Sequence, residues 1–234
     1  ENLVYKISFD ENYSYKIKKL HINKALKVIS IKSNNVLSKL EKITIDDDSI
    51  MTVSKNVLYN ENGKIVLVPK TVTYIEITKD VDDYSIAYAL GLEEVYIHKD
   101  VESIGLQAFE GCENLKELKL SKELVSSGEK SFANCKELEK VEIPKSLVDV
   151  CDTWDSLYVP QGMFYGCSKL KEVTFEEGTT LIADGLFNGC DGLEKIEIPE
   201  GVTQIKEFAF ADCKNLQVVD MSDTVTEVGI SAFE

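Results

Sequence analysis

The stretch from Leu193 to Asn215, LEKIEIPEGVTQIKEFAFADCKN, holds one complete unit of the pattern that organises this chain. Ile196 and Ile198 alternate with charged residues, which is the period of a strand with one face turned inward. Pro199 then breaks the run. Farther on, Ala209, Phe210, Cys213 and the following Leu216 are spaced by one, three and three, the spacing of a helical turn. One unit therefore reads as a short strand, a bend and a short helix.

Outward from this unit the same columns recur. From Phe109 to Phe132 the step is 23, Phe164 follows after 32, and Phe187, Phe210 and Phe233 resume the step of 23. Three positions after each of the first five stands a cysteine: Cys112, Cys135, Cys167, Cys190 and Cys213. Leu115, Leu138, Leu170, Leu193 and Leu216 follow at the same interval and open the next units. A unit this short cannot bury its apolar side alone, but stacked copies share one continuous core with strands about 4.8 Å apart. The expected fold class is α/β: a leucine-rich-repeat solenoid, a right-handed horseshoe or superhelix, with short parallel strands on one face and short helical turns opposite.

Toward the amino terminus the plan loosens. Ile17, Leu20, Ile22, Leu26, Ile29 and Leu37 fill the apolar slots of a 23-residue unit, with Ser33 and Asn34 where Ala and Phe belong. Leu40, Ile43 and Ile45 open a longer unit, and the step to the next opening, at Val72, is 32. Its extra length, through Val57, Leu58, Tyr59 and Asn62-Gly63, reads as a small hairpin. Val72, Ile75 and Ile77 open a unit shortened to 20, with Ser85-Ile86 in the Ala-Phe slots and Ala89 in the Cys slot. Residues 1–16 are expected to be an edge cover or partial repeat, and residues 17–234 a solenoid of about nine units, the last incomplete.

At Gln107-Ala108-Phe109-Glu110-Gly111-Cys112 and Phe208-Ala209-Phe210-Ala211-Asp212-Cys213 the sequence resembles the BspA-like, or Treponema pallidum type, class of bacterial leucine-rich repeats, whose 23-residue unit ends in Ala-Phe, two residues, Cys, two residues, Leu. The stretch from Ile43 to Pro69 resembles the long variant unit of the same proteins. The resemblance covers nearly the whole chain after Ile17. It implies a surface or secreted location and, by analogy with adhesin-like members, a host or matrix protein as partner. It supplies no catalytic residues, and a repeat fold is a platform whose function lies in the surface it displays.

Composition narrows the partners. Hydrophobic residues make up 44% of the 234, enough for a core that needs neither disulfides nor metals. A formal charge of -15 repels nucleic acid and anionic lipid surfaces, and no run approaches the roughly 20 apolar residues of a membrane-spanning helix. The chain starts at Glu1 without an initiator Met or signal peptide, and reads as a segment of a longer protein.

No enzyme is expected, since nothing resembles a nucleophile with its base, a phosphate loop or a metal helix, and no cofactor or metal is foreseen. Five cysteines share one slot on successive coils and should be buried free thiols, because stacked neighbours about 4.8 Å apart exceed the roughly 3.8 Å between beta carbons that a disulfide prefers. Cys151 lies outside the column and its reactivity stays open. His21 takes an outward strand position and His98 the slot held elsewhere by Pro144 and Pro199. Asp46-Asp47-Asp48 and Asp82-Asp83 lack the Gly and Glu spacing of a calcium loop.

Two places are candidate partner-binding sites. The first is the nine-residue expansion from Cys151 to Val159, which contains Tyr158 and Trp154, the single tryptophan of the chain. Projecting loops on a rigid scaffold commonly bind, and Trp and Tyr are favoured interface anchors. The second is the strand face, where Tyr96, Lys119, Glu142, Thr174, Glu197 and Asp220 point outward. Beside it the series Glu93, Lys116, Glu139, Lys171 and Glu194 alternates in sign, so these charges could instead satisfy one another between coils. The expected function is a non-catalytic protein-binding or adhesive module, with a purely structural spacer as the alternative. An exposed aromatic patch on the insert or strand face would favour binding; paired charges alone would favour a spacer.

Overall fold

The structure is a computed structural model that describes residues 5–9, 16–31, 37–150 and 160–234. Short strands recur just after the opening leucines, and five pairs of them are bonded in parallel, each to the equivalent strand of the next coil. Lys19–Ile22 pairs with Lys42–Ile45, Tyr74–Ile77 with Glu94–Ile97, and Glu94–Ile97 with Glu117–Lys119. Lys140–Ile143 pairs with Glu172–Phe175, and Lys195–Ile198 with Val218–Met221. The inward residues Val95, Ile97, Val141, Ile143, Ile196 and Ile198 are buried while their neighbours face solvent, as the alternation predicts. Toward the amino terminus, Tyr5–Phe9 pairs in parallel with Leu26–Ile31.

A second, narrower ladder was not foreseen. Ser103–Ile104 pairs with Ser126–Ser127, and Leu181–Ile182, Gln204–Ile205 and Glu227–Val228 pair in series, all in parallel. Isolated bridges from Val81 to Ile104 and from Ser126 to Asp149 extend it. The hairpin expected near Asn62-Gly63 is present: Asn60 N donates to Lys64 O at 2.9 Å, and Gly63 takes φ of 74°. It joins Val57–Tyr59 to Ile65–Leu67, and a third antiparallel strand, Thr52–Ser54, reaches it through Lys55 and Asn56, both at positive φ.

The short helical turns are corrected. Among the described residues there is no α-helix, and the segment carrying Ala-Phe-x-x-Cys is a run of tight turns. In the coil from Gly105 to Leu115, Ala108 N, Glu110 N and Cys112 N fold back onto Gly105 O, Gln107 O and Phe109 O. The intervening donors leave the coil: Gln107 N reaches Glu129 O at 3.0 Å, Phe109 N reaches Ser131 O at 2.7 Å, and Gly111 N reaches Ala133 O at 2.8 Å. A helix aims every N–H along its own axis. Here every second N–H points at the neighbouring coil, and two residues of this run are left-handed, Gln107 at φ 51° and Gly111 at 69°. Lys130 with Asn134, and Phe208 with Asp212, repeat that pair.

This arrangement places equal residues above one another. Phe109, Phe132, Phe164, Phe187, Phe210 and Phe233 form a continuous ring stack with centroids 4.5 to 5.9 Å apart. The longer step between Phe132 and Phe164 does not interrupt it. Leu92, Leu115, Leu138, Leu170 and Leu193 are fully buried beside it, and Ile86 and Ala89 fill the Phe and Cys slots of the shortened unit. Ser33 and Asn34 lie outside the described residues.

Phe187 is fully buried, stacked on Phe164 and Phe210 and met edge-on by Phe175. Replacing it with alanine should destabilise the chain by about 3 to 5 kcal/mol in urea unfolding, the range for a large aromatic removed from a tightly packed core. A loss under about 1 kcal/mol would contradict the packing of this column.

Candidate functional site

Tyr96 stands on the outer face of Glu94–Ile97, half-buried, with Glu76 beside it on one strand and Lys119 on the other. The Lys119 ammonium lies 5.0 Å from the ring centroid, within cation–π range. Two register positions away, Tyr74 is 48% exposed and sits beside Glu94, whose other neighbour is Glu117. These two tyrosines adjoin because they occupy successive outward positions on neighbouring strands, whose register sets Tyr74 against Glu94 and Glu76 against Tyr96.

Trp154, Tyr158 and Cys151 lie outside the described residues. The base of their segment is within them. Val150 and Pro160 are both buried, and Asn188 Nδ2 donates to Pro160 O at 3.1 Å. The expansion thus leaves and rejoins the solenoid at fixed points. The strands Lys140–Ile143 and Glu172–Phe175 still pair residue for residue, so the added length sits off the main ladder.

Lateral charge pairing occurs, mostly away from the columns where it was expected. Lys116 meets Glu93 at 2.8 Å, but among the described residues no ion pair joins Lys171 to Glu139 or Glu194. The coil-to-coil pairs lie chiefly in the turns ahead of the leucines: Lys136 with Glu113 and Lys169 with Glu137, both at 2.7 Å, and Lys214 with Asp191 at 3.6 Å. Sequence reasoning passed over these residues because they sit outside the strand columns, although their spacings of 23 and 32 match the repeat. On the strand face, Lys195 reaches Asp220 at 2.5 Å, whereas Glu76, Glu94 and Glu117 make no ion pair among the described residues.

The remaining polar groups have structural partners. His21 lies between Thr44 Oγ1, 2.9 Å from Nδ1, and Asp46 Oδ1, 3.1 Å from Nε2. The Lys24 backbone N–H, bonded to Asp46 Oδ2 at 3.0 Å, is the main cause holding that carboxyl below its usual range. Aspartate, histidine and hydroxyl match a hydrolytic triad in composition only: the side chains of His21 and Asp46 are 59% and 40% exposed, so solvent screens a pairing that catalysis needs desolvated. His98 Nδ1 is 3.0 Å from Asp100 Oδ2 but off the direction of a hydrogen bond. A cleft of about 300 Å³ is lined by Lys27, Met51, Asn60, Asp82 and Asp83 among others. Two of its acids are engaged, Asp82 with Lys64 at 2.7 Å and Asp83 with the Leu106 N–H at 2.8 Å. Among the described residues no group of three or more His, Cys, Asp or Glu is placed to hold a metal, and no helix is long and apolar enough to cross a membrane.

The five column cysteines are free and buried. Each thiol donates to a backbone carbonyl of the preceding coil: Cys112 to Ile86 O, Cys135 to Phe109 O, Cys167 to Phe132 O, Cys190 to Phe164 O and Cys213 to Phe187 O, at 3.2 to 3.7 Å. Burial pushes the Cys112 and Cys213 thiols up to about 12 and raises those of Cys135 and Cys190 as well.

With this geometry established, the chain can be placed among known proteins. It is a parallel β-solenoid of leucine-rich repeats. It belongs to the family described as the BspA type leucine rich repeat region, whose six-copy pattern matches residues 4–78, 79–153 and 155–234. A leucine rich cell surface protein from Faecalibacterium prausnitzii is 23% identical with a TM-score of 0.63, covering 95% of this chain and 52% of that one. The leucine rich repeat protein of Treponema pallidum is 19% identical with a TM-score of 0.54, covering 76% of this chain and 82% of that one. One from Eubacterium ventriosum is 18% identical with a TM-score of 0.57, covering 93% and 58%. At these identities the likeness is one of fold. The chain spans about half the length of the Faecalibacterium protein. A search of the curated proteins finds no match.

Two measurements follow from these side chains. In a Cys151→Ser variant, a thiol reagent at about pH 8 should find no reactive cysteine in the folded chain and all five column cysteines after denaturation, since only the thiolate reacts. Rapid native reaction, or missing thiols in the denatured chain, would contradict the buried ladder. The second concerns Glu176: burial pushes its carboxyl up, but the Lys122 ammonium at 3.1 Å and the Lys145 N–H at 3.2 Å outweigh that and hold it lowered. A carboxyl lowered by folding stabilises above its unfolded value and loses that contribution as pH falls through its folded value. Glu176→Gln should therefore lower the urea midpoint at pH 7, with the difference fading below about pH 4. A difference independent of pH would contradict the ion pair.

Proposed function

We propose that this chain is a non-catalytic protein-binding or adhesive module of a bacterial surface or secreted protein. The observation that carries the reading is the division of its surface. Charges in the turns ahead of the leucines are paired between coils, whereas the strand face displays Tyr74 and Tyr96 beside Glu76, Glu94 and Glu117, which make no ion pair among the described residues. A spacer has no use for exposed aromatic side chains, and a rigid ladder presents them without a loop-ordering penalty on binding. Tyr96 thus remains a proposed contact residue. So do Trp154 and Tyr158, in a segment rooted at buried Val150 and Pro160. The surface location draws support from the Faecalibacterium protein, which is named a cell surface protein.

The test immobilises the folded chain and passes purified extracellular-matrix and serum proteins over it. At least one should bind with a Kd of roughly 10 µM or tighter, and Trp154→Ala with Tyr158→Ala, or Tyr74→Ala with Tyr96→Ala, should weaken it by about 30-fold or more at unchanged folding stability. Silence across the panel would support the spacer. Full affinity in both double variants would remove these residues from the site.

A further inference from the structure

The strand face carries a pattern that the repeat alone does not produce. Tyr74 and Glu76 point outward from one strand, Glu94 and Tyr96 from the next, and the register sets Tyr74 beside Glu94 and Glu76 beside Tyr96. The four side chains form a checkerboard in which each ring has a carboxylate across the strand gap and another two positions along. The rings lie about 8 Å apart on the diagonal, from strand spacing and rise. Glu117 extends the acidic row on the third strand. Among the described residues none of these three carboxylates makes an ion pair, and all three are exposed.

A second observation shows what the rings accept. Lys119, the third-strand neighbour of Tyr96, lays its ammonium over that ring at 5.0 Å and has no carboxylate partner among the described residues. The chain itself thus places a cation on one tyrosine. Tyr74 has the same kind of carboxylate neighbours and is 48% exposed.

Building on the protein-binding reading, we propose that the Tyr74, Glu76, Glu94, Tyr96 and Glu117 face docks a cationic segment of a partner protein, with an arginine on the Tyr74 ring between Glu76 and Glu94. The planar guanidinium stacks on an aromatic face while its edge donates to carboxylates, so one side chain engages both residue types of the checkerboard. A carboxylate-rich partner would meet three like charges here. Across Tyr96, Lys119 sets one edge of the site.

The probe is a fluorescein-labelled peptide alternating arginine and glycine, titrated by anisotropy against the whole chain at about 0.15 M salt, where charges more than roughly 8 Å apart are largely screened. Saturable binding is expected, absent for the same peptide with neutral citrulline in place of arginine. Tyr74→Ser with Tyr96→Ser alters no charge and should weaken binding by about tenfold or more. Glu76→Gln with Glu94→Gln should weaken it similarly. Glu142→Gln with Glu197→Gln, which removes the same charge elsewhere on the strand face, should change it by less than about threefold. Unchanged binding in the tyrosine variant, an equal loss in the distant variant, or no saturable binding would overturn the proposal. A chain that captures a matrix protein but ignores this peptide would refute the cationic partner and leave the binding role standing; silence toward both the panel and the peptide would overturn both.

Discussion

Phe109 N donates to Ser131 O, Phe132 N to Met163 O, Phe187 N to Ala209 O and Phe210 N to Ala232 O, each at 2.7 to 2.9 Å. These bonds between coils, with their neighbours on either side, are the constraint on which the rest depends. They hold each turn at a fixed distance from the next, so whatever residue occupies a slot must stack on its own equivalent. A flat ring tolerates that distance, and the phenylalanine column results. A small thiol tolerates it too, and also points its hydrogen at a carbonyl of the coil before. The cysteine slot therefore has a directional role that volume alone does not describe.

The columns of Phe, Cys and Leu were legible because a repeat that stacks on itself must show its period in its core residues. Ile86 and Ala89 could be placed in the Phe and Cys slots from phase alone, and both are buried there. The helical reading failed at the same residues for a physical reason. A spacing of three and four marks residues on the same side of a helical turn, and successive tight turns share it. The left-handed conformations of Gln107, Lys130 and Phe208 separate the two, and those positions carry no glycine signal. The narrow ladder was illegible because strands as short as Ser126–Ser127 cannot show alternation.

The candidate site was legible in part. Tyr96 could be assigned to the outer face from alternation, but its neighbours depend on register between coils. Between these strands the register sets Tyr74 beside Glu94 and Glu76 beside Tyr96, which brings the two tyrosines into one patch. The unit's shortening could be counted in the sequence, but like the longer step between Lys140 and Glu172 it leaves the pairing of equivalent strand positions intact. Charge alternation misled: Glu139 and Lys171 are neighbours by column, but a long side chain pairs with whatever lies within reach of its tip.

Because the leading surface of a coil is complementary to the trailing surface of another, a duplicated 23-residue stretch enters the stack without inventing an interface. Each new coil supplies a ring for the phenylalanine stack, a thiol for the carbonyl before it and amides for the coil that follows. Lengthening by tandem duplication is therefore close to neutral for folding. Variation in unit length, as between Val150 and Pro160, is absorbed where the main ladder does not run. A lineage of such proteins can change reach and decoration independently, so long as each copy keeps the core residues through which it fits its neighbours.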